Sequence, residues 1–186
     1  MRKALKEESM SGVIEVIVGG MYSGKTEELI RRLRRARLGK RGVLLFKPKI
    51  DDRYSEMDVV SHARNKFPAI PVGTTEEMEG YFQEDTEVIG IDEAQFIPDL
   101  LLFCHRIANL GKRVVGAGLD MDWRGEPFGD MPALMATAEK VTKLRAICVV
   151  CGEDAGFSYK RKGSQNQVEI GGADIYEARC RRCFFS

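Results

Sequence analysis

Two stretches of this chain carry residues whose types and spacing could handle a phosphate. Residues Gly19-Gly20-Met21-Tyr22-Ser23-Gly24-Lys25-Thr26 fit G-x-x-x-x-G-K-[ST] at every position. In such a loop glycines let the backbone curl with its N–H groups inward, and the helix that follows adds its positive end, which makes a cradle for phosphate oxygens. Lys25 would reach the β- and γ-phosphates, and the Thr26 hydroxyl would ligate Mg²⁺. The second stretch, 88–93, is apolar until it closes on Asp92 and Glu93. An acid at a strand end beside a phosphate loop holds Mg²⁺, directly or through water, and that is the role expected of Asp92. Glu93, one position on, could take a proton from an attacking water or hydroxyl.

Four of the five cysteines form Cys-x-x-Cys pairs, Cys148 with Cys151 and Cys180 with Cys183. In a reducing compartment such pairs bind metal or do redox chemistry more often than they form disulfides. Four thiolates would close a tetrahedral Zn²⁺ site, structural because no position is left for water. Arg179, Arg181 and Arg182 would offset its negative charge and help keep the sulfurs deprotonated. The 28 residues between Cys151 and Cys180 exceed the roughly 15–20 of a simple zinc ribbon. The metal would tie their ends, while 156–176, with Gly163, Gly171, Gly172 and little periodic apolar pattern, reads as a tethered loop able to close over something. Cys104 stands alone and is expected to be a small core residue.

These groups need a frame. Short apolar runs at 13–18, 43–46, 88–91, 114–117 and 141–147 read as strands, and helical patterns lie at 26–38, 76–82 and 98–110. Strands alternating with helices imply an α/β fold with a mainly parallel sheet covered on both faces, of the P-loop NTPase type. Segment 47–66 is too polar for a core element and reads as a long functional or mobile loop. Near Leu144 the alternation gives way to the cysteine pairs, so the chain divides into a tail, 1–11, a phosphate-binding α/β domain, 12–143, and a small zinc-binding domain, 144–186. The arginine-rich run 31–37 lies on the helix behind the phosphate loop; Leu29, Leu33 and Ala36 keep a stripe for packing, which leaves the arginines a solvated or subunit-facing surface.

At 186 residues, 44% hydrophobic and 31% charged, the chain is an ordinary globular protein with a core, and disordered, collagen-like and membrane-spanning classes drop out. The charged first eleven residues lack an apolar leader and no run is long enough to span a bilayer, so a cytoplasmic address is expected. A net charge of +1 argues against a protein that coats nucleic acid. Asp92-Glu93-Ala94-Gln95 also looks like the box of nucleic-acid helicases, but one phosphate loop in this length leaves no room for a second motor domain. A competing function is a zinc-ribbon ATPase that grips nucleic acid with the arginine helix and the ribbon.

Several further stretches join the phosphate loop in one pattern: Asp51-Asp52-Arg53-Tyr54-Ser55, Ile91-Asp92-Glu93-Ala94-Gln95-Phe96, Gly118-Leu119-Asp120, Arg124-Gly125-Glu126-Pro127-Phe128-Gly129 and Gly171-Gly172-Ala173-Asp174-x-Tyr176. Together they resemble the thymidine kinases of the zinc-containing, cytosolic type, from about Gly12 to Cys183. The resemblance implies transfer of the γ-phosphate of Mg-ATP to the 5′-hydroxyl of thymidine or deoxyuridine. It implies Glu93 as general base, Arg53 as a stabiliser of phosphate charge, and the tethered segment as a lasso gripping the nucleoside through main-chain groups. Met21, Phe96, Leu119, Trp123 and Tyr176 would line the base pocket, with Ser158 and Gly171 on the lasso. A homotetramer and feedback inhibition by dTTP are implied in the same way, with no nucleic-acid or membrane partner. Trp123 stands where Phe is usual, which would tighten the pocket or tilt the base. Gly20 replaces a frequent proline, which would loosen the loop without removing a phosphate contact. The histidines, His62 and His105, match no catalytic role.

Overall fold

The structure, a computed structural model, describes residues 12–50, 58–60, 66–163, 166–167 and 174–186, with backbone alone at 58–60 and 66. Arg53 and the rest of 51–57, His62, Gly171 and its neighbours 172 and 173, and the tail 1–11 lie outside the described residues.

The apolar run Val13–Val18 is β1, flanked in parallel by β7 (Arg113–Gly118) and β8 (Lys140–Lys143). Beyond β7 come β6 (Thr86–Ile91), β2 (Gly42–Pro48) and the edge strand β5 (Ile70–Val72), all parallel, for the order β5-β2-β6-β7-β1-β8. The phosphate loop, the Asp92-Glu93 pair and Leu119 follow β1, β6 and β7, so they share the carboxyl edge of the sheet, where open α/β sheets bind ligands.

Alternation along the strands feeds two cores. Ile14, Val16 and Val18 of β1 pack with Ile89, Ile91 and Val114, and with Leu100, Phe103, Cys104 and Ile107 of α3 (Leu100–Asn109). Ile17 faces the other way, into Leu45, Val88, Val115, Ala117 and the Leu29, Ile30, Leu33 and Ala36 stripe of α1 (Lys25–Leu38). Cys104 is buried in the first core, and burial pushes its thiol up to about 12, as suits an inert packing residue. His105 is half-buried on α3.

Several elements depart from the sequence reading. The helix expected at 76–82 is the shorter α2 (Thr75–Glu79), capped by the Thr74 side chain and stopped at Gly80. A helix not foreseen, α4 (Met131–Thr137), begins with a proline in its first turn, where the missing N–H costs nothing. Within 47–66, Asp58–Val60 (β3) pairs antiparallel with Lys66–Pro68 (β4), so part of the expected loop is extended. Residues 141–147, expected as one strand, divide into β8 and β9 (Ala146–Ile147). The sheet itself causes the break: β8 can follow β1 only to Lys143 opposite Val18, and after the Leu144 N–H donates to Val18 O at 2.8 Å the chain leaves for a second small sheet.

That smaller part is built from β9 with β10 (Asp154–Ala155), an antiparallel ribbon of β11 (Phe157–Lys160) with β12 (Tyr176–Arg179), and α5 (Arg181–Phe184). The arms of the expected loop 156–176 are therefore strands. Their residues alternate, Phe157 and Tyr159 against Ser158 and Lys160, and Tyr176 and Ala178 against Glu177 and Arg179.

Arg32 corrects the reading of the arginine run as surface. It is buried at 5% exposure and held by Glu15 at 2.6 Å, Glu28 at 2.8 Å and the Thr142 hydroxyl at 2.8 Å. Arg113 of β7 takes the other Glu15 oxygen at 2.7 Å. Burial pushes the Glu15 carboxyl up, but Arg113 and Arg32 together hold it below the usual carboxylate range.

Candidate active site

Gly19 leaves β1 at φ 146°, and a Cβ there would come within 2.4 Å of Leu144 O, so the turn that starts the phosphate loop requires glycine. Gly24 precedes α1 in the left-handed region at φ 84°, with no side chain to close off the helix start. The first-turn N–H groups of α1 thus face the loop with the positive end of the helix dipole behind them. Lys25 Nζ reaches back over the loop to Gly20 O at 2.9 Å, and Ser23 Oγ donates to the same carbonyl at 2.8 Å.

The acid pair meets this loop across the sheet edge. The Thr26 hydroxyl donates to Asp92 Oδ1 at 3.3 Å, and Asp92 is buried. Two hard oxygen donors at this separation suit a Mg²⁺ ion that keeps waters and phosphate oxygens in its other positions. Glu93 follows at φ 46°, ψ 44°, a strained conformation for a residue with a Cβ, and its Oε2 accepts Gln95 Nε2–H at 2.7 Å. Gln95 Oε1 accepts the Leu119 N–H at 3.0 Å. The sequence reading gives Gln95 no role, although a polar residue between the buried Ala94 and Ile97 is a signal that it has partners.

The ribbon lies against the phosphate loop. The Met21 N–H donates to Ser158 Oγ at 2.9 Å, and the Tyr22 hydroxyl donates to Tyr176 O at 3.2 Å. A Cβ on Gly20 would approach Gly156 O to 3.2 Å, so this close packing suits glycine better than the proline considered above. Of the remaining base-pocket candidates, Phe96 packs edge-on against Phe128 at 5.6 Å, and Leu119 is half-buried at the end of β7. Trp123 donates its indole N–H to Asn166 O at 3.0 Å and lies under the cations of Arg124 and Lys160 at 4.9 and 5.1 Å. Trp123 is thus engaged with the segment between β11 and β12, a bond that phenylalanine could not make.

The four paired cysteines converge, with their sulfurs within 4.8 Å of one another and Cys151 Sγ 3.6 Å from Cys180 Sγ. A tetrahedral zinc with 2.3 Å bonds needs sulfurs about 3.8 Å apart, so the donor set fits the metal. Its acid–base state points the same way. Burial raises the Cys148 thiol, but N–H groups of Cys180, Val150 and Cys151 bring it down to about 6; Cys183 is pushed up to about 12 by burial and the neighbouring sulfurs. Sulfurs this close cannot all ionise without a cation among them. Of the three arginines expected beside the site, Arg182 is the one facing sulfur, at Cys151 and Cys183. Arg179 instead binds Glu177 at 2.6 Å, stacks on Tyr159 and donates to the Cys183 main-chain oxygen at 3.0 Å, and Arg181 lies over Phe157. Tyr22 of the phosphate loop packs on this cysteine cluster, so the two sites share a wall.

The sequence model of the family described as Thymidine kinase matches residues 12–184. The chain belongs to the thymidine kinase family. A thymidine kinase of Rhodothermus sp. (strain ITI 518) is 51% identical over 181 residues, 97% of this chain and 84% of the relative. A thymidine kinase of Bacteroides fragilis (strain YCH46) is 49% identical over 181 residues, 97% of this chain and 90% of the relative. Among solved structures, domain III of the Thermotoga maritima replication initiation protein DnaA gives a TM-score of 0.43 at 17% identity, over 76% of this chain and 58% of that one, too slight a likeness to carry an argument. Among the described residues of this thymidine kinase family member, no helix is long and apolar enough to cross a membrane.

Proposed function

We propose that this chain transfers the γ-phosphate of Mg-ATP to the 5′-hydroxyl of thymidine or deoxyuridine, giving dTMP (or its deoxyuridine counterpart) and ADP. The observation that carries the reading is the meeting of the Thr26–Asp92 contact with Glu93 beside a phosphate loop roofed by the β11–β12 ribbon. The loop 19–26 with Lys25 binds the triphosphate through N–H groups and the ammonium. Thr26 and Asp92 hold Mg²⁺, which when bound neutralises phosphate charge. Glu93 accepts the proton of the nucleoside 5′-hydroxyl as that oxygen attacks the γ-phosphorus. Met21, Phe96, Leu119, Trp123, Ser158, Gly171 and Tyr176 bind the nucleoside, and Arg53 stabilises phosphate charge.

In this reading 12–143 is the ATP-binding domain and 144–186 the lasso domain, anchored by structural zinc on Cys148, Cys151, Cys180 and Cys183. A cytoplasmic homotetramer inhibited by dTTP completes it, with no nucleic-acid or membrane partner. ATP turnover measured alone, with thymidine, and with DNA tests it. Turnover should require thymidine; stimulation by DNA without nucleoside would favour the ATPase alternative and contradict the kinase.

A further inference from the structure

Gln95 lies in the 3₁₀ turn Ala94–Phe96 after β6 and is 6% exposed. A buried side-chain amide is costly unless its groups are partnered. Both ends of this one are, Nε2 by Glu93 Oε2 at 2.7 Å and Oε1 by the Leu119 N–H at 3.0 Å. Those partners fix which end is oxygen: a backbone N–H only donates and a carboxylate only accepts, so turning the amide over would break both bonds. The approach is close, since a Cβ on Gly118 would stand 2.6 Å from Gln95 Oε1. Leu119 follows β7, the strand between β1 and β6, so the amide ties Glu93 to the middle of the edge that carries the site. Glu93 occupies a left-handed conformation, and such strain persists where the surroundings hold the residue.

We propose that Gln95 is a positioning residue whose amide orients the Glu93 carboxylate toward the attacking hydroxyl. The inference rests on the kinase reading, in which Glu93 is the base. In the step it serves, the 5′ O–H bond breaks and its proton passes to Glu93. The oxygen's electron pair bonds the γ-phosphorus, and the bond from that phosphorus to the β,γ-bridging oxygen breaks, releasing ADP. With one carboxylate oxygen anchored to Gln95, the direction of the other is set by a frame of two strands, and a displaced base loses rate far more than binding.

A double-mutant cycle of Glu93→Gln and Gln95→Met tests this in the full chain, with kcat and KM measured for thymidine and ATP. Gln95→Met should lower kcat on the order of 10- to 100-fold with both KM values within about threefold. In the Glu93→Gln background the same substitution should lower kcat by less than about threefold, because the carboxylate it orients is gone. Equal loss in both backgrounds would mean an independent structural role, and a Gln95→Met enzyme within threefold of wild type would mean no role; either overturns the proposal. Should the methionine variant fail to fold, Gln95→Asn, which keeps the amide but shortens it, runs the same cycle against the same two outcomes. Full activity in Glu93→Gln alone would remove the base itself, and with it the proposal, a failure separate from those of Gln95.

Discussion

Met21 and Ser158 stand 137 residues apart in sequence and 2.9 Å apart in space, the Met21 N–H donating to the serine hydroxyl. The bond joins the loop that follows β1 to the ribbon that follows the cysteine pair, so each surface is held in shape by the other. Ser158→Ala should therefore weaken ATP and thymidine together, by about 3- to 10-fold in each KM, the range expected for one lost hydrogen bond. Steady-state kinetics with each substrate varied checks this. A change in thymidine KM alone would mean that Ser158 serves only the nucleoside.

Arg32 and Arg35 share one helix and differ in burial. Arg32→Met leaves Glu15 in the sheet with Arg113 and removes the contacts to Glu28 and Thr142. Breaking a buried pair by removing one partner should cost about 3 kcal/mol, whereas exposed Arg35→Ala should stay within about 0.5 kcal/mol. Urea unfolding of the two variants makes the comparison, and equal stabilities would return Arg32 to the surface class.

The same network sets an acid dependence. Hydrogen bonding to Arg31 chiefly, opposed by partial burial and reinforced by Arg32, lowers the Glu28 carboxyl from 4.5 to about 2. A depressed carboxylate stabilises the fold above its unfolded pKa and loses that contribution as pH falls through the folded value. Wild type should thus melt above Glu28→Gln at pH 6, and the gap should close between about pH 4.5 and 2. Melting curves of both proteins across that range decide; a gap unchanged by acid would contradict the pairing.

Metal analysis should return one zinc per chain, and stripping it should disturb the β11–β12 ribbon most. Because Tyr22 packs on the cysteine cluster and donates to Tyr176 O, metal loss should reach the phosphate loop as well. Thymidine affinity should fall more steeply than ATP affinity, as read by calorimetry on metal-depleted protein and on Cys180→Ser. Far less than one zinc in active enzyme, or unchanged thymidine binding, would contradict the anchor.

Local spacing made the phosphate loop, the acid pair and the four cysteines legible, because each motif is closed within eight residues or repeated in a pair. Apolar runs announced the central strands for a similar reason, since a strand buried on both faces is apolar throughout. What stayed hidden depends on partners far along the chain. Arg32 looks like its neighbours in an arginine run, and its burial follows from Glu15 on β1 and Thr142 on β8. Gln95 gains its meaning from Leu119, just past the end of the neighbouring strand β7. The break at Leu144 is imposed by where β1 stops, which the apolar run at 141–147 does not encode.

The central claim is that Glu93 removes the proton of a nucleoside hydroxyl beside a phosphate loop. Single-turnover formation of dTMP from thymidine and Mg-ATP, compared between wild type and Glu93→Gln, tests it most directly. The variant keeps size and hydrogen bonding but lacks the proton acceptor, so the rate should drop on the order of 10²- to 10⁴-fold while thymidine affinity stays nearly intact. A variant forming dTMP within threefold of the wild-type rate would contradict the claim.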